Sequence, residues 1–147
     1  MTLRFLGQVD DARVPDLGRV LGEAAAGLPR FELGIVGLGA FPSPIRPRVI
    51  WAGVGQGGEA LGALARRVEG ALARVGIPPE DRPFSAHVTL GRIREPRRAP
   101  DLAAALASGA GRAFGTVTVD RVCLMRSDLS PGGSRYTEIA AAALTAG

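Results

Sequence analysis

The only histidine of the chain sits in Phe84-Ser85-Ala86-His87-Val88-Thr89-Leu90-Gly91-Arg92-Ile93. An imidazole takes or gives a proton near neutral pH, and a threonine hydroxyl hydrogen-bonds an anionic oxygen without adding charge. Two residues apart on a strand, His87 and Thr89 fall on one face, while Val88 and Leu90 turn to the other. A phosphate held by the hydroxyl beside a proton-transferring ring is the chemistry this pair suits. The plainer reading is a lone histidine on a half-exposed strand, and three further features weigh against it.

The first is a repeat. Met1-Thr2-Leu3-Arg4-Phe5-Leu6-Gly7 aligns with the stretch from Val88 to Ile93, with Thr2 over Thr89 and Leu3 over Leu90. In that register the counterpart of His87 falls one residue before Met1. Arg4 shares the parity of Thr2. Arg92, five beyond His87, points away from it on a regular strand and joins its face only if a twist or bulge near Gly91 brings it round.

On these motifs the chain resembles the two-histidine phosphoesterases, and within them the RNA 2',3'-cyclic phosphodiesterases, long called bacterial 2'-5' RNA ligases. Members carry two His-x-Thr-x motifs, the first followed by a run like Arg4 to Gly7 and the second preceded by a phenylalanine like Phe84. The likeness extends to Pro47-Arg48-Val49-Ile50-Trp51-Ala52-Gly53-Val54 and to Val122-Cys123-Leu124-Met125-Arg126-Ser127 with Gly133 and Tyr136. The resemblance implies an α+β fold, with two pseudo-symmetric lobes of antiparallel β-strands flanked by helices, a central cleft, and an N-terminal lobe that is incomplete. Residues 1–147 would form a single two-lobed domain. It implies a metal-independent, cofactor-free hydrolysis of RNA 2',3'-cyclic phosphate ends to a 2'-phosphate, with 2'-5' ligation as the reverse. By the same resemblance, His87, Thr89 and Thr2 are the catalytic residues, with His87 as general base toward water, and Arg92 and Arg4 bind the phosphate. The partner is then RNA or an oligonucleotide with a 2',3'-cyclic phosphate or a 2'-5' linkage, bound by a monomer. Two other classes stay open: a catalytically silent RNA-binding module and a scaffolding domain on the same fold.

The elements that position these residues supply the second feature. Thr2 to Leu6 reads as a strand. Val14, Leu17, Leu21, Ala24 and Leu28 recur at three and four, the stripe of a helix that Gly27 and Pro29 end. Phe31 to Leu38 and Arg48 to Val54 read as strands around a proline-rich loop. A second helix carries Leu61, Leu64, Val68, Leu72 and Val75, and Ile77 to Pro83 leads into the His87 strand. A basic loop from Arg94 to Arg98 precedes a short helix from Pro100. Val117 and Val119 alternate on one parity, Val122 and Leu124 on the other, which predicts a bulge near Asp120. Tyr136 to Ala143 reads as the last strand, with Trp51 and Tyr136 as core.

Around His87 the order is strand, helix, motif strand, helix, strand; around Thr2 it lacks the first two. The span from Arg48 to Ala86 holds 39 residues, so the halves match in length if roughly that many precede Met1. Loss of that segment would leave a sheet edge unpaired, and of two explanations, a start assigned downstream of the true one or a natively short chain, the first is the expectation. The third feature is the need that two such motifs serve: opening a cyclic phosphate takes one group to accept a proton and another to give one.

Composition bounds these readings. The 147 residues are 46% hydrophobic and 22% charged, the balance of a globule with a real core. No apolar run is long enough to cross a bilayer, and the start shows no signal pattern, which points to the cytoplasm. Cys123 has no second cysteine to pair with. All 18 basic residues are arginine and the net charge is +4, which favours a polyanion and suits guanidinium forks to phosphate, although GC-rich coding produces the same bias.

Overall fold

The computed structural model describes residues 1–95 and 98–146; Arg97, read above as part of a basic loop, lies outside them. The chain divides into two compact units, one of Met1–Leu3, Glu32–Gly62 and Phe84–Thr118, the other of Arg4–Phe31, Ala63–Pro83 and Val119–Gly147.

The first unit is built on a four-stranded sheet. Its strands are β1 (Phe31–Phe41), β2 (Val49–Val54), β3 (His87–Arg92) and β4 (Ala113–Val119), in the order β3-β2-β1-β4. Both β1–β2 and β2–β3 are antiparallel. β1 takes three steps from Ile35 to Leu38 while β2 takes two from Val54 to Ala52, so β1 carries an extra residue there. Gly37 relieves that bulge, since its φ of +78° lies where a β-carbon is strained. Its N–H bonds Arg112 O at 2.8 Å. One face of the sheet is apolar: Ala40 and Ala52 are buried on it, and Leu38 meets Gly109 at the end of α3 (Pro100–Ser108).

The second unit holds α1 (Val14–Ala25), most of α2 (Gly58–Arg74) and the hairpin β5 (Arg121–Ser130) with β6 (Gly133–Ala143). Asp10 caps the 3₁₀ turn Asp11–Arg13 that leads into α1, its carboxylate accepting from Ala12 N at 2.9 Å, and Pro15 sits in the first turn of α1, where its missing N–H costs nothing. Of the expected stripe, Leu17, Leu21 and Ala24 are buried, with Val20 beside them, while Val14 and Leu28 are half-buried. Arg67 closes the other end, its guanidinium donating to Ala26 O at 2.7 Å and Glu23 O at 3.3 Å, carbonyls that the helix leaves without partners. On α2, Leu64 is 1% exposed, a side chain whose truncation to alanine costs about 2–5 kcal/mol.

Three expectations change. Residues Thr2 to Leu6 form no strand, because none of the described strands supplies the ladder of backbone bonds that a strand needs. The parity change near Asp120 is not a bulge within one strand: β4 ends at Val119 in one sheet and β5 begins at Arg121 in another, so the chain changes sheets there. Tyr136 is 66% exposed rather than core, because the outer part of the hairpin is open on both faces. Among the described residues, no helix is long and apolar enough to cross a membrane.

Candidate active site

β3 owes its position to β2. Gly53 pairs with His87 and Trp51 with Thr89, and directly paired residues of an antiparallel ladder share a face. From Thr89 to Gly91 β3 takes two steps while β2 takes one, from Trp51 to Ile50, so Leu90 is an extra residue in β3. Beyond this bulge Arg92 pairs with Val49, which has the parity of Trp51. The defect therefore brings Arg92 to the face of His87 and Thr89. Leu90 itself lines an apolar hollow of about 280 Å³ with Ile35, Ala52, Val88, Phe114 and Val117, on the opposite side of the sheet.

His87 is half-buried and held at two points. Its Nδ1 lies 2.8 Å from Ser85 O. A carbonyl only accepts, so the bond assigns the hydrogen to Nδ1 and leaves Nε2 with its lone pair in the neutral ring. The Phe41 ring stands edge-on to the imidazole, centroids 5.1 Å apart at 84°. Phe41 in turn leans on Trp51 at 5.3 Å and 37°. The Trp51 indole lies across the glycine backbone: a β-carbon on Gly39 would come within 2.2 Å of its Cζ2, and one on Gly53 within 3.3 Å of its Cζ3. Trp51 is thus half-buried, on the histidine's own face and not in the core opposite. Thr89 and Arg92 are exposed, and among the described residues no hydrogen bond or ion pair holds the Arg92 side chain.

The first motif is placed differently. Thr2 is exposed, and Met1–Leu3 falls in the same unit as the His87 strand. Arg4 belongs to the second unit, where its guanidinium is committed. Nη2 donates to Pro78 O at 2.6 Å, while Nη1 lies 2.9 Å from Glu80 and 3.5 Å from Glu69, close enough to pair but out of line for a hydrogen bond. Only 11% of that side chain is exposed. The structure gathers His87, Thr89 and Arg92 on one face and ties Arg4 to carboxylates instead.

Sequence reasoning missed the wall formed by Phe41 and Trp51. The signal available was the alternation Gly39-x-Phe41 beside Trp51-x-Gly53, small residues at the positions where a flat ring needs room. A second regularity was invisible in composition. All six ion pairs among the described residues lie in the second unit, formed by Arg4, Arg19, Arg74, Arg121 and Arg126. Glu23, between Arg74 and Arg19, has its carboxyl held below the usual carboxylate range, chiefly by the hydrogen bond from Arg74. Burial, then Glu138 beside it, pushes the Cys123 thiol up.

The profile of the 2'-5' RNA ligase superfamily matches residues 1–131. The RNA 2',3'-cyclic phosphodiesterase of Aeropyrum pernix is 39% identical over 136 residues, which cover 92% of this chain and 76% of that protein. A crystal structure from Thermus thermophilus superposes with a TM-score of 0.81 at 28% identity, covering 99% of this chain and 77% of that one. Escherichia coli LigT complexed with 3'-AMP superposes at 0.75 with 30% identity, over 98% of this chain and 75% of LigT.

Proposed function

The chain belongs to the 2'-5' RNA ligase superfamily, and from that premise we propose that it is an RNA 2',3'-cyclic phosphodiesterase, opening the cyclic phosphate at an RNA end to leave a 2'-phosphate. In the proposed step His87 takes a proton from the attacking water through Nε2. The water oxygen bonds to phosphorus, the bond from phosphorus to the ribose 3' oxygen breaks, and that oxygen receives a proton. In the family pattern the second proton comes from another histidine, aligned with the position before Met1. Residues 1–147 hold one imidazole, and the proposal gives it the first transfer.

Thr89 donates its hydroxyl to a phosphate oxygen, and Arg92 lays its guanidinium against the same group; Thr2 serves the opposite side in the manner of Thr89. A hydrogen bond to a charged oxygen contributes about 1.5–3 kcal/mol, and the donors act on charge that grows as the fifth bond forms. Arg4 acts at one remove, anchoring the segment that carries Thr2. Residues 1–147 work as one domain, monomeric and cytoplasmic, on RNA substrates.

The observation that carries this reading is the bond from His87 Nδ1 to Ser85 O, which fixes the tautomer a general base needs, on the face that also bears Thr89 and Arg92. The test is turnover of a nucleoside 2',3'-cyclic phosphate by the wild-type chain and by His87→Ala. A positioned base contributes roughly 10²–10⁴-fold, so the variant should lose at least the lower figure, with EDTA leaving the wild-type rate alone. A chain extended upstream to include the first histidine should gain by a similar factor. Equal turnover by wild type and His87→Ala sinks the reading, and RNA binding without any turnover moves the chain to a silent binding module.

A further inference from the structure

At one end of the sheet in the first unit, the loop between β1 and β2 and the turn after β3 are stitched together. Arg48 N donates to Phe41 O at 2.8 Å, closing the first loop on itself. Ile93 N then donates to Arg48 O at 2.9 Å and Ala99 N to Ile45 O at 3.4 Å, joining the two segments. These segments carry Arg46, Arg48, Arg94 and Arg98, all exposed, and they adjoin Arg92, the last residue of β3. Glu95 is the single acidic residue among them. None of these five arginines forms an ion pair or a side-chain hydrogen bond among the described residues, whereas the arginines of the second unit that do pair take carboxylates.

Five guanidinium groups without a partner among the described residues, on a backbone-stitched platform, exceed what one terminal phosphate uses. A second and third phosphate, spaced along a flexible chain, would use them, because each planar fork meets two phosphate oxygens at once. A small cyclic phosphate has no further charges to offer. We propose that this arginine platform binds the phosphodiester backbone of the RNA strand that leads up to the reacting end, and so selects a polynucleotide over a mononucleotide. The inference rests on the activity proposed above only for the identity of the strand's reacting end. Arg92, at the platform's inner edge and on the face of His87, is where the strand would pass from platform to site.

Binding without turnover separates the two readings. The probe is a 5'-fluorescein-labelled oligouridylate of about ten nucleotides, within the usual range of single-strand sites, ending in a 2'-phosphate; uridine 2'-phosphate is the control. The variant is Arg46→Gln/Arg94→Gln/Arg98→Gln, with the corresponding triple lysine variant beside it and circular dichroism to check folding. The oligomer should bind on the order of tenfold or more weakly. Its plot of log affinity against log salt should flatten by about 2, since each lost phosphate contact removes roughly 0.7 of slope on a single strand. The control should lose less than twofold, and the lysine variant should keep most of the slope. An unchanged slope, or equal losses for oligomer and mononucleotide, overturns the platform. Neither result depends on whether His87→Ala abolishes turnover, which judges the activity alone.

Discussion

Gly39→Ala tests the coupling between the sheet and the histidine. The backbone at Gly39 has no positive φ, so alanine is conformationally acceptable there and would, by narrowing the unfolded ensemble, stabilise the chain by about 0.4–1 kcal/mol. Against this, the new β-carbon stands 2.2 Å from Cζ2, 2.3 Å from Cη2 and 2.8 Å from Cε2 of Trp51. Carbon contacts are comfortable at about 3.5–4.0 Å. The rigid indole must lift by more than an ångström, and Phe41 crowds it on one side. Such overpacking costs about 1–3 kcal/mol, so the clash outweighs the entropy gain and the net loss is about 1–2 kcal/mol. Urea denaturation followed by fluorescence is well suited to the measurement, because Trp51 is the only tryptophan and its emission reports the displacement directly. Combining Gly39→Ala with Trp51→Leu removes the collision, and the double-mutant cycle should return a coupling of at least about 1 kcal/mol. Turnover should fall as well, because displacement passes from Trp51 through Phe41 to the imidazole. A Gly39→Ala protein within about 0.5 kcal/mol of wild type, with unshifted emission, would refute the reasoning, since that is the scatter of an inconsequential surface change.

Three other outcomes follow from the same geometry. Deleting Leu90 removes the bulge and leaves a regular ladder in which Arg92 keeps its pairing with Val49 and its face, so phosphate affinity should survive the deletion but drop in Arg92→Ala, with Arg92→Lys keeping part of it; competition by inorganic phosphate reads all three. Arg4→Gln leaves Glu80 and Glu69 without their cation, and because both carboxylates are partly exposed the loss should be about 1–2 kcal/mol by urea unfolding. The Glu23 carboxyl is depressed in the folded chain, chiefly by Arg74. Its contribution is therefore present above the unfolded value and lost as pH falls through the folded one. Glu23→Gln should be less stable than wild type near neutrality and converge with it in acid, and urea midpoints that keep a constant gap would contradict this.

Both long helices were legible because an apolar stripe at three and four is a local property. Leu17, Leu21 and Ala24 are buried on α1, and Leu64, Val68 and Leu72 on α2, as their spacing requires. The pairing of His87 with Thr89 was legible for the same reason, since alternation is local to one strand. Arg92 was legible only as a condition, a bulge near Gly91, which the structure meets at Leu90, because a bulge is a mismatch between two strands and neither strand's letters record it. The change of sheet at Asp120 failed likewise: parity registers that something shifts, but a slip and a departure look alike until the partners are known. Thr2 to Leu6 has the apolar content of a strand and lacks a ladder. Arg4 matched a motif by position, yet Glu69 and Glu80, far along the chain, decide what its charge does.

The uneven distribution of ion pairs makes the free protein a compressed spring at one end. Arg46, Arg48, Arg92, Arg94 and Arg98 lie on segments joined by backbone bonds, with Glu95 as the one carboxylate among them, and like charge gathered on a compact surface works against the fold that gathers it. Bound phosphates then act as counter-ions that relieve this strain, so occupancy and folding are linked. Phosphate buffer should raise the melting temperature where an equal ionic strength of chloride raises it less, and an RNA strand should behave as a folding ligand as well as a substrate.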